Sequence, residues 1–254
     1  MNWQDIAGNS ILIPPQPIAL IHFLGGAFVA TAPQATYRRL LEGLADQGYA
    51  IVATPFITSV NHAEIAEDVL DQFEETVDRL QRAARLPQFL PIYGMGHSMG
   101  CKLHLLIGSL FNIKRAGNIL ISFNNAPVDK AIPFAEFITP AVPMEFSPNP
   151  DQTNRLVQNC YQVSRNLLVK FSNDTLDQTL RLSGLLEQRF PGMITVQRLA
   201  GNHLTPLGQD VRWQTGETFT PLDALGQWFR QEVYRDINQL EDVILNWLDP
   251  LWIH

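Results

Sequence analysis

Residues 96–100, Gly-His-Ser-Met-Gly, place a serine between two glycines in the pattern G-x-S-x-G. A serine hydroxyl becomes a useful nucleophile only with a base in hydrogen-bond reach and a carboxylate to hold that base. It also needs donors for the charge that develops on the attacked oxygen. The local sequence suits that chemistry. Residues 90–93 (LPIY) read as a short buried strand and residues 101–111 as an apolar helix, so Ser98 falls in a tight strand-to-helix turn. Such a turn strains the serine backbone, and Gly96 and Gly100 remove bulk where strand and helix approach. The hydroxyl is then presented near a helix N-terminus, where backbone N–H groups and the helix dipole favour an oxyanion.

The acid and the base are expected in that order further along the chain, each on a loop just after a strand. Residues 166–171 (NLLVKF) read as a strand that runs into 172–177 (SNDTLD). Asp174 is the preferred acid. Asp177 stands where the next helix begins, fits an N-cap, and is the alternative acid. His203 lies in a Gly-x-His turn after a strand over 193–199 (MITVQRL) and is the expected base. The other histidines are placed differently: His254 is terminal, His22 is in or at the end of a strand, and His97 fills the variable position before the serine. His104 is on the following helix, facing the core, and His62 is a surface or capping residue ahead of a helix. Met99 N–H is one expected oxyanion donor. The other is Gly26 or Ala27, in residues 24–28 (LGGAF) after an early strand. Neither a G-x-G-x-x-G motif nor a lysine-bearing phosphate loop occurs, and neither a cofactor nor a metal is expected.

Positioning these loops requires a sheet. Strands at 18–23, 49–56, 115–123, 166–171 and 193–199 alternate with helices at 33–47, 63–85, 101–111 and 178–189. Continuous apolar strands between amphipathic helices predict an α/β fold with a mostly parallel sheet flanked by helices. Residues 11–13 suggest an edge strand after an uninformative polar lead-in. Residues 124–158 hold six prolines together with Phe134, Phe137 and Ile138, and predict an apolar, Pro-rich lid inserted in a single domain. An amphipathic helix over 222–247, broken near Tyr234, should bring Trp228, Phe229, Ile237, Val243, Ile244 and Trp247 to the sheet.

Composition narrows the partners. The net charge of −7 argues against a nucleic-acid partner, and a hydrophobic content of 46% supports a sizeable core. The start of the chain lacks the pattern of a secretory signal. The most apolar window, residues 18–30, is short, contains Gly25 and Gly26, and follows prolines, so no transmembrane segment is expected. The expectation is a cytoplasmic protein acting on a small molecule. Two cysteines, Cys101 and Cys160, cannot make a disulfide framework, and Cys101 reads as a small buried residue.

With these residues in view, the chain resembles the α/β-hydrolases. More narrowly, residues 22–56, 94–104 (GMGHSMGCKLH), 166–179 and 201–207 (GNHLTPL) resemble an uncharacterised family of cyanobacteria and chloroplasts. The resemblance spans residues 18–206 and implies the hydrolase fold, Ser98, an acid at Asp174 or Asp177, and His203. It implies no substrate, because fold membership does not settle function. The function expected is a serine hydrolase of esterase, lipase or thioesterase type, using an acyl-enzyme on a small, partly apolar ester or thioester. The alternatives are a non-catalytic hydrolase-fold protein that binds an apolar ligand or a protein partner, and an acyltransferase with the same triad. Oligomeric state is not legible.

Overall fold

Apolar side chains occupy successive positions in Ala19–Leu24, Tyr49–Ala53, Ile92–His97, Gly117–Ile121 and Asn166–Phe171, so both faces of these segments must be covered. In the computed structural model, which describes residues 1–127, 145–207 and 236–249, they form strands β3 to β7 of one sheet. The chain opens with a hairpin of β1 (Gln4–Ile6) and β2 (Asn9–Leu12) and closes the sheet with β8 (Ile194–Leu199). The strand order is β1-β2-β4-β3-β5-β6-β7-β8, with β1 and β2 antiparallel and β3 to β8 parallel. The hairpin differs from the uninformative lead-in expected for the first ten residues. Its two-residue turn puts Ala7 and Gly8 at φ 49° and 80°, as tight hairpin loops require, although Ala-Gly is a weak turn signal.

The helices are α1 (Pro33–Thr36), α2 (Arg38–Asp46), α3 (His62–Arg82), α4 (Met99–Leu110), α5 (Pro150–Cys160), α6 (Thr179–Arg189) and α7 (Asp236–Leu248). On one face of the sheet, Leu40 and Leu44 of α2 and Leu240 and Ile244 of α7 pack on Ile21, Ile51 and Ile119. On the other, α3 and α4 share Val69, Leu103 and Leu106, while Val157, Leu182 and Leu186 of α5 and α6 cover Leu120 and Leu168. The helix expected over 33–47 is broken at Tyr37, whose φ of −109° separates α1 from α2. From β3 the chain moves outward to β4 and then returns to place β5 on the other side of β3. That reversal opens a crevice at the carboxyl ends of β3 and β5, where ligands bind in open α/β sheets.

Residues 128–144, about half of the expected lid and including Pro133, Phe134, Phe137 and Ile138, lie outside the described residues, as do Trp228, Phe229 and Tyr234. Residues 150–158 of that stretch belong to α5, which a capping box between Asn149 and Gln152 starts and which packs Val157 into the core. The preceding residues dock on α3 and α4. Ser147 N–H donates to the Val60 carbonyl (2.8 Å), and the buried Lys102 Nζ donates to the Pro148 carbonyl (2.9 Å). Phe146 lies against His62, with ring centroids 4.3 Å apart. This contact buries His62 as the first residue of α3, in place of the surface or capping position expected from sequence, and Asn61 is the N-cap. Among the described residues no helix is long and apolar enough to cross a membrane.

Two predictions follow from this packing. A Cβ at Gly100 would overlap the Leu24 carbonyl oxygen, whereas one at Gly184, on the exposed side of α6, would meet nothing within 4 Å. Gly100→Ala should therefore destabilise by about 1–3 kcal/mol or more, and Gly184→Ala should stabilise by up to about 1 kcal/mol. Thermal melts of the two variants should move in opposite directions.

Four histidines, His22, His62, His97 and His104, are buried, and burial is the main cause that pulls each pKa down, to about 3 for the last three. Above the ordinary histidine pKa they are neutral folded or unfolded. As pH falls below about 6.5 the unfolded chain binds protons that the folded one refuses, so stability is lost on the acid side. Urea unfolding should show stability falling steeply from pH 7 to 5, with an uptake approaching four protons. A flat profile would contradict the burial of these rings.

Candidate active site

β5 ends at His97 and α4 begins at Met99, which leaves Ser98 alone in the turn with φ 53° and ψ −114°. That backbone region is strained for a residue with a Cβ. Two bonds hold it. Ser98 N–H donates to Ile121 O (2.9 Å), at the end of β6, and Cys101 N–H donates to Ser98 O (3.1 Å). The turn also demands glycine on both sides. A Cβ at Gly96 would lie 2.5 Å from the Gly100 carbonyl carbon, and Gly100 itself faces the backbone of Leu24. Beneath the turn the Cys101 thiol, whose pKa burial pushes up, donates to the Gly96 and Ile121 carbonyls at 3.1 and 3.2 Å. It is a packing residue of the turn.

Ser98, His203 and Asp174 meet at the carboxyl edge of the sheet, although they come from the ends of β5, β8 and β7. Ser98 Oγ is 2.9 Å from His203 Nε2, and His203 Nδ1 is 2.8 Å from Asp174 Oδ2. A carboxylate only accepts, so Nδ1 carries the proton and Nε2 accepts the Ser98 hydroxyl. Burial by itself raises the Asp174 carboxyl pKa. The hydrogen bond and charge of His203, the Ser122 hydroxyl and Leu176 N–H (3.0 Å) outweigh it, and the net shift is downward. Ser122, after β6, is buried and has φ 52°, and its Oγ makes no hydrogen bond of good geometry to Asp174 or to any other described group. The two loops are also tied through their backbones, by Ser172 N–H to Leu199 O (2.9 Å) and Asn173 N–H to Gly201 O (3.0 Å).

The alternative acid is engaged elsewhere. Asp177 Oδ1 accepts Thr179 N–H (2.8 Å) and Lys170 Nζ (3.1 Å), and Oδ2 accepts the Thr179 hydroxyl (2.8 Å). It caps α6 from one residue before the N-cap, Gln178. The sequence offered two acids three residues apart, and the structure brings only Asp174 to His203.

On the opposite wall, the two loop amides named from sequence separate. Gly26 N–H donates to the Tyr37 hydroxyl (2.8 Å), and Gly26 O accepts Val29 N–H (3.2 Å) inside the 3₁₀ turn Ala27–Val29. A planar trans peptide sends Ala27 N–H opposite to the Gly26 carbonyl, away from that turn. Met99 N–H stands at the first residue of α4, with no intrahelical acceptor. Tyr37 and His97 are site neighbours that sequence reading passed over, the first as a core residue of a helix face and the second as a variable motif position. The available signal was a histidine directly beside the serine at the end of a buried strand. Among the described residues no group of three or more His, Cys, Asp and Glu side chains could hold a metal ion.

Solved structures share this architecture at low identity. TT1662 from Thermus thermophilus is 17% identical, with 98% of each chain covered and a TM-score of 0.55. Carboxyl esterase 2 from Tuber melanosporum is 14% identical over 78% of this chain and 73% of that one, with a TM-score of 0.57. FphF, a fluorophosphonate-binding serine hydrolase of Staphylococcus aureus, is 14% identical over 77% and 85%, with a TM-score of 0.53. The fold is that of the α/β-hydrolases. No curated protein sequence matches the chain. The family model of DUF1350, proteins of unknown function, matches residues 2–250, and the chain belongs to that family.

Proposed function

We propose that the protein is a serine hydrolase that cleaves a small, partly apolar ester or thioester through an acyl-enzyme. The observation that carries this reading is the continuous hydrogen-bonded chain from Ser98 through His203 to Asp174, built on a strained serine turn. The esterase and serine hydrolase names of two structural neighbours agree with it.

In this mechanism His203 Nε2 takes the Ser98 proton as Oγ attacks the carbonyl carbon. Asp174 keeps the ring in the required tautomer and stabilises the imidazolium that forms. Met99 N–H and Ala27 N–H hold the oxyanion, the Gly26 amide being committed to Tyr37. His203 then protonates the leaving alcohol or thiol. Water, deprotonated by His203, attacks the acyl carbon, Ser98 recovers its proton, and the acid leaves. The preference for a partly apolar acyl group rests on Ile57 and Val60, exposed in the loop after β4. Thr58 in that loop donates to the Ala27 carbonyl (2.6 Å), which joins it to the oxyanion wall.

Fluorophosphonate should label wild-type protein on Ser98, as read by mass spectrometry of the adduct, and Ser98→Ala and His203→Ala should abolish it. Absence of labelling in folded wild type would favour a non-catalytic binder.

The two acids separate in the same assay. Asp174→Asn should lower turnover of p-nitrophenyl butyrate by roughly 10⁴-fold. Asp177→Asn should leave turnover nearly intact and lower stability only through the lost Lys170 pair, because asparagine caps a helix as well as aspartate does. Equal losses from the two variants would withdraw the assignment of Asp174.

A further inference from the structure

His97, the last residue of β5, has a buried imidazole that contacts two walls of the site at once. Its Nε2 is 2.8 Å from the backbone carbonyl of His203, and its Nδ1 is 2.8 Å from the Tyr37 hydroxyl. A carbonyl can only accept, so Nε2 carries the ring proton and Nδ1 is an acceptor. Tyr37 must then donate its hydroxyl proton to Nδ1, which leaves its oxygen to accept Gly26 N–H at 2.8 Å. Every group in the chain Gly26 N–H, Tyr37 O–H, His97, His203 O has one permitted role.

The neutral ring is a condition of this wiring. Burial, then the positive potential of His203, pulls the His97 pKa down to about 3. A second proton on His97 would have no acceptor but Tyr37, whose hydroxyl would have to turn away from Nδ1. The ring also stands beside the expected base, with the His97 and His203 centroids 5.0 Å apart. Tyr37 is held as firmly, being fully buried at the break between α1 and α2 with its ring edge against Phe23 (4.6 Å).

We infer that Tyr37 and His97 are positioning residues of the reaction proposed above. They fix the loop that bears the oxyanion donor and the loop that bears the base to one rigid ring beside the nucleophile. The inference rests on the serine hydrolase reading. His97 touches neither substrate nor Ser98 Oγ in this role. By taking the Gly26 amide into the core, Tyr37 sets the peptide that ends in Ala27 N–H. By holding the His203 carbonyl, His97 sets the height of the base.

The test uses the full chain with Tyr37→Phe, His97→Ala and His97→Gln, whose side-chain amide N–H can still reach the His203 carbonyl. Each is assayed for p-nitrophenyl butyrate hydrolysis, fluorophosphonate labelling rate and thermal midpoint. Tyr37→Phe and His97→Ala should lower kcat by roughly 10- to 100-fold, the loss expected from small misplacement at a distance, with KM within about twofold. His97→Gln should recover at least about fivefold of the His97→Ala loss, since it keeps one of the two arms. Labelling rates should fall in parallel with kcat at temperatures where each variant is folded. Wild type that is neither labelled nor active would overturn the hydrolase reading and this inference together. An active wild type with variants at wild-type kcat, or with losses confined to KM, would overturn the inference alone. A Gln variant no better than Ala, with losses that track only the thermal midpoint, would also overturn it.

Discussion

The constraint on which the site depends is the left-handed backbone of Ser98 between β5 and α4. A non-glycine residue in that region costs about 1–3 kcal/mol and persists only where its surroundings over-determine it. Here they do. β5 is hydrogen-bonded along its length to β3 and β6, and the Ser98 amide is tied to the end of β6 at Ile121. The helix that follows carries buried side chains from Met99 through Ser109 and cannot slide to relieve the turn. The glycines are a consequence of this wedge. Strand, helix and the β3 loop come so close that Gly96 and Gly100 have no room for a methyl group.

Much of this was legible because the fold repeats one simple pattern. Apolar strands closed by amphipathic helices specify a parallel sheet, and loops after parallel strands converge on one edge, so Ser98, an acid at Asp174 or Asp177, and His203 could be grouped before any distance was known. The acid was legible only as a pair. Asp174 and Asp177 differ in which loop atoms they meet, and the N-capping chemistry that retains Asp177 depends on the course of residues 172–178. The hairpin at Ala7–Gly8 escaped because its turn relies on positive φ at an alanine, which composition does not announce. His62 read as a surface or capping residue because its cover, Phe146, arrives from more than eighty positions away. Tyr37 read as one of several core residues on a helix face, when the chain in fact breaks there and its hydroxyl meets a backbone amide. Periodicity reports which side of an element is buried and is silent about which polar atom is buried with it.

Buried polar atoms carry most of the definition at this site. The pair of imidazoles illustrates why. His97 and His203 lie close enough that two cations would repel each other, and only His203 faces a carboxylate. Burial keeps His97 neutral, while Asp174 is held ionised by the ring it orients. The general base proposed above therefore has a neutral ring for its neighbour. The same separation fixes hydrogen-bond direction. A neutral His97 has one donor and one acceptor, and each is already assigned by a partner that can play only one part.

This arrangement also explains why the site tolerates having its members on four different loops. The Asp174 and His203 loops are joined by backbone bonds between residues 172–173 and 199–201. The His203 loop is joined to β5 through His97, and the β3 loop is joined to the same ring through Tyr37. The strand order places β5 beside β3 at the crevice, so each link is short, and none passes through the nucleophile itself. Displacement of any one loop would have to break a buried hydrogen bond, which costs more than the net worth of the bond because the abandoned donor or acceptor stays out of water. In the reaction proposed above, precision at Ser98 would rest on groups that take no part in bond making, and the residue next to the serine is the point at which their hydrogen bonds meet.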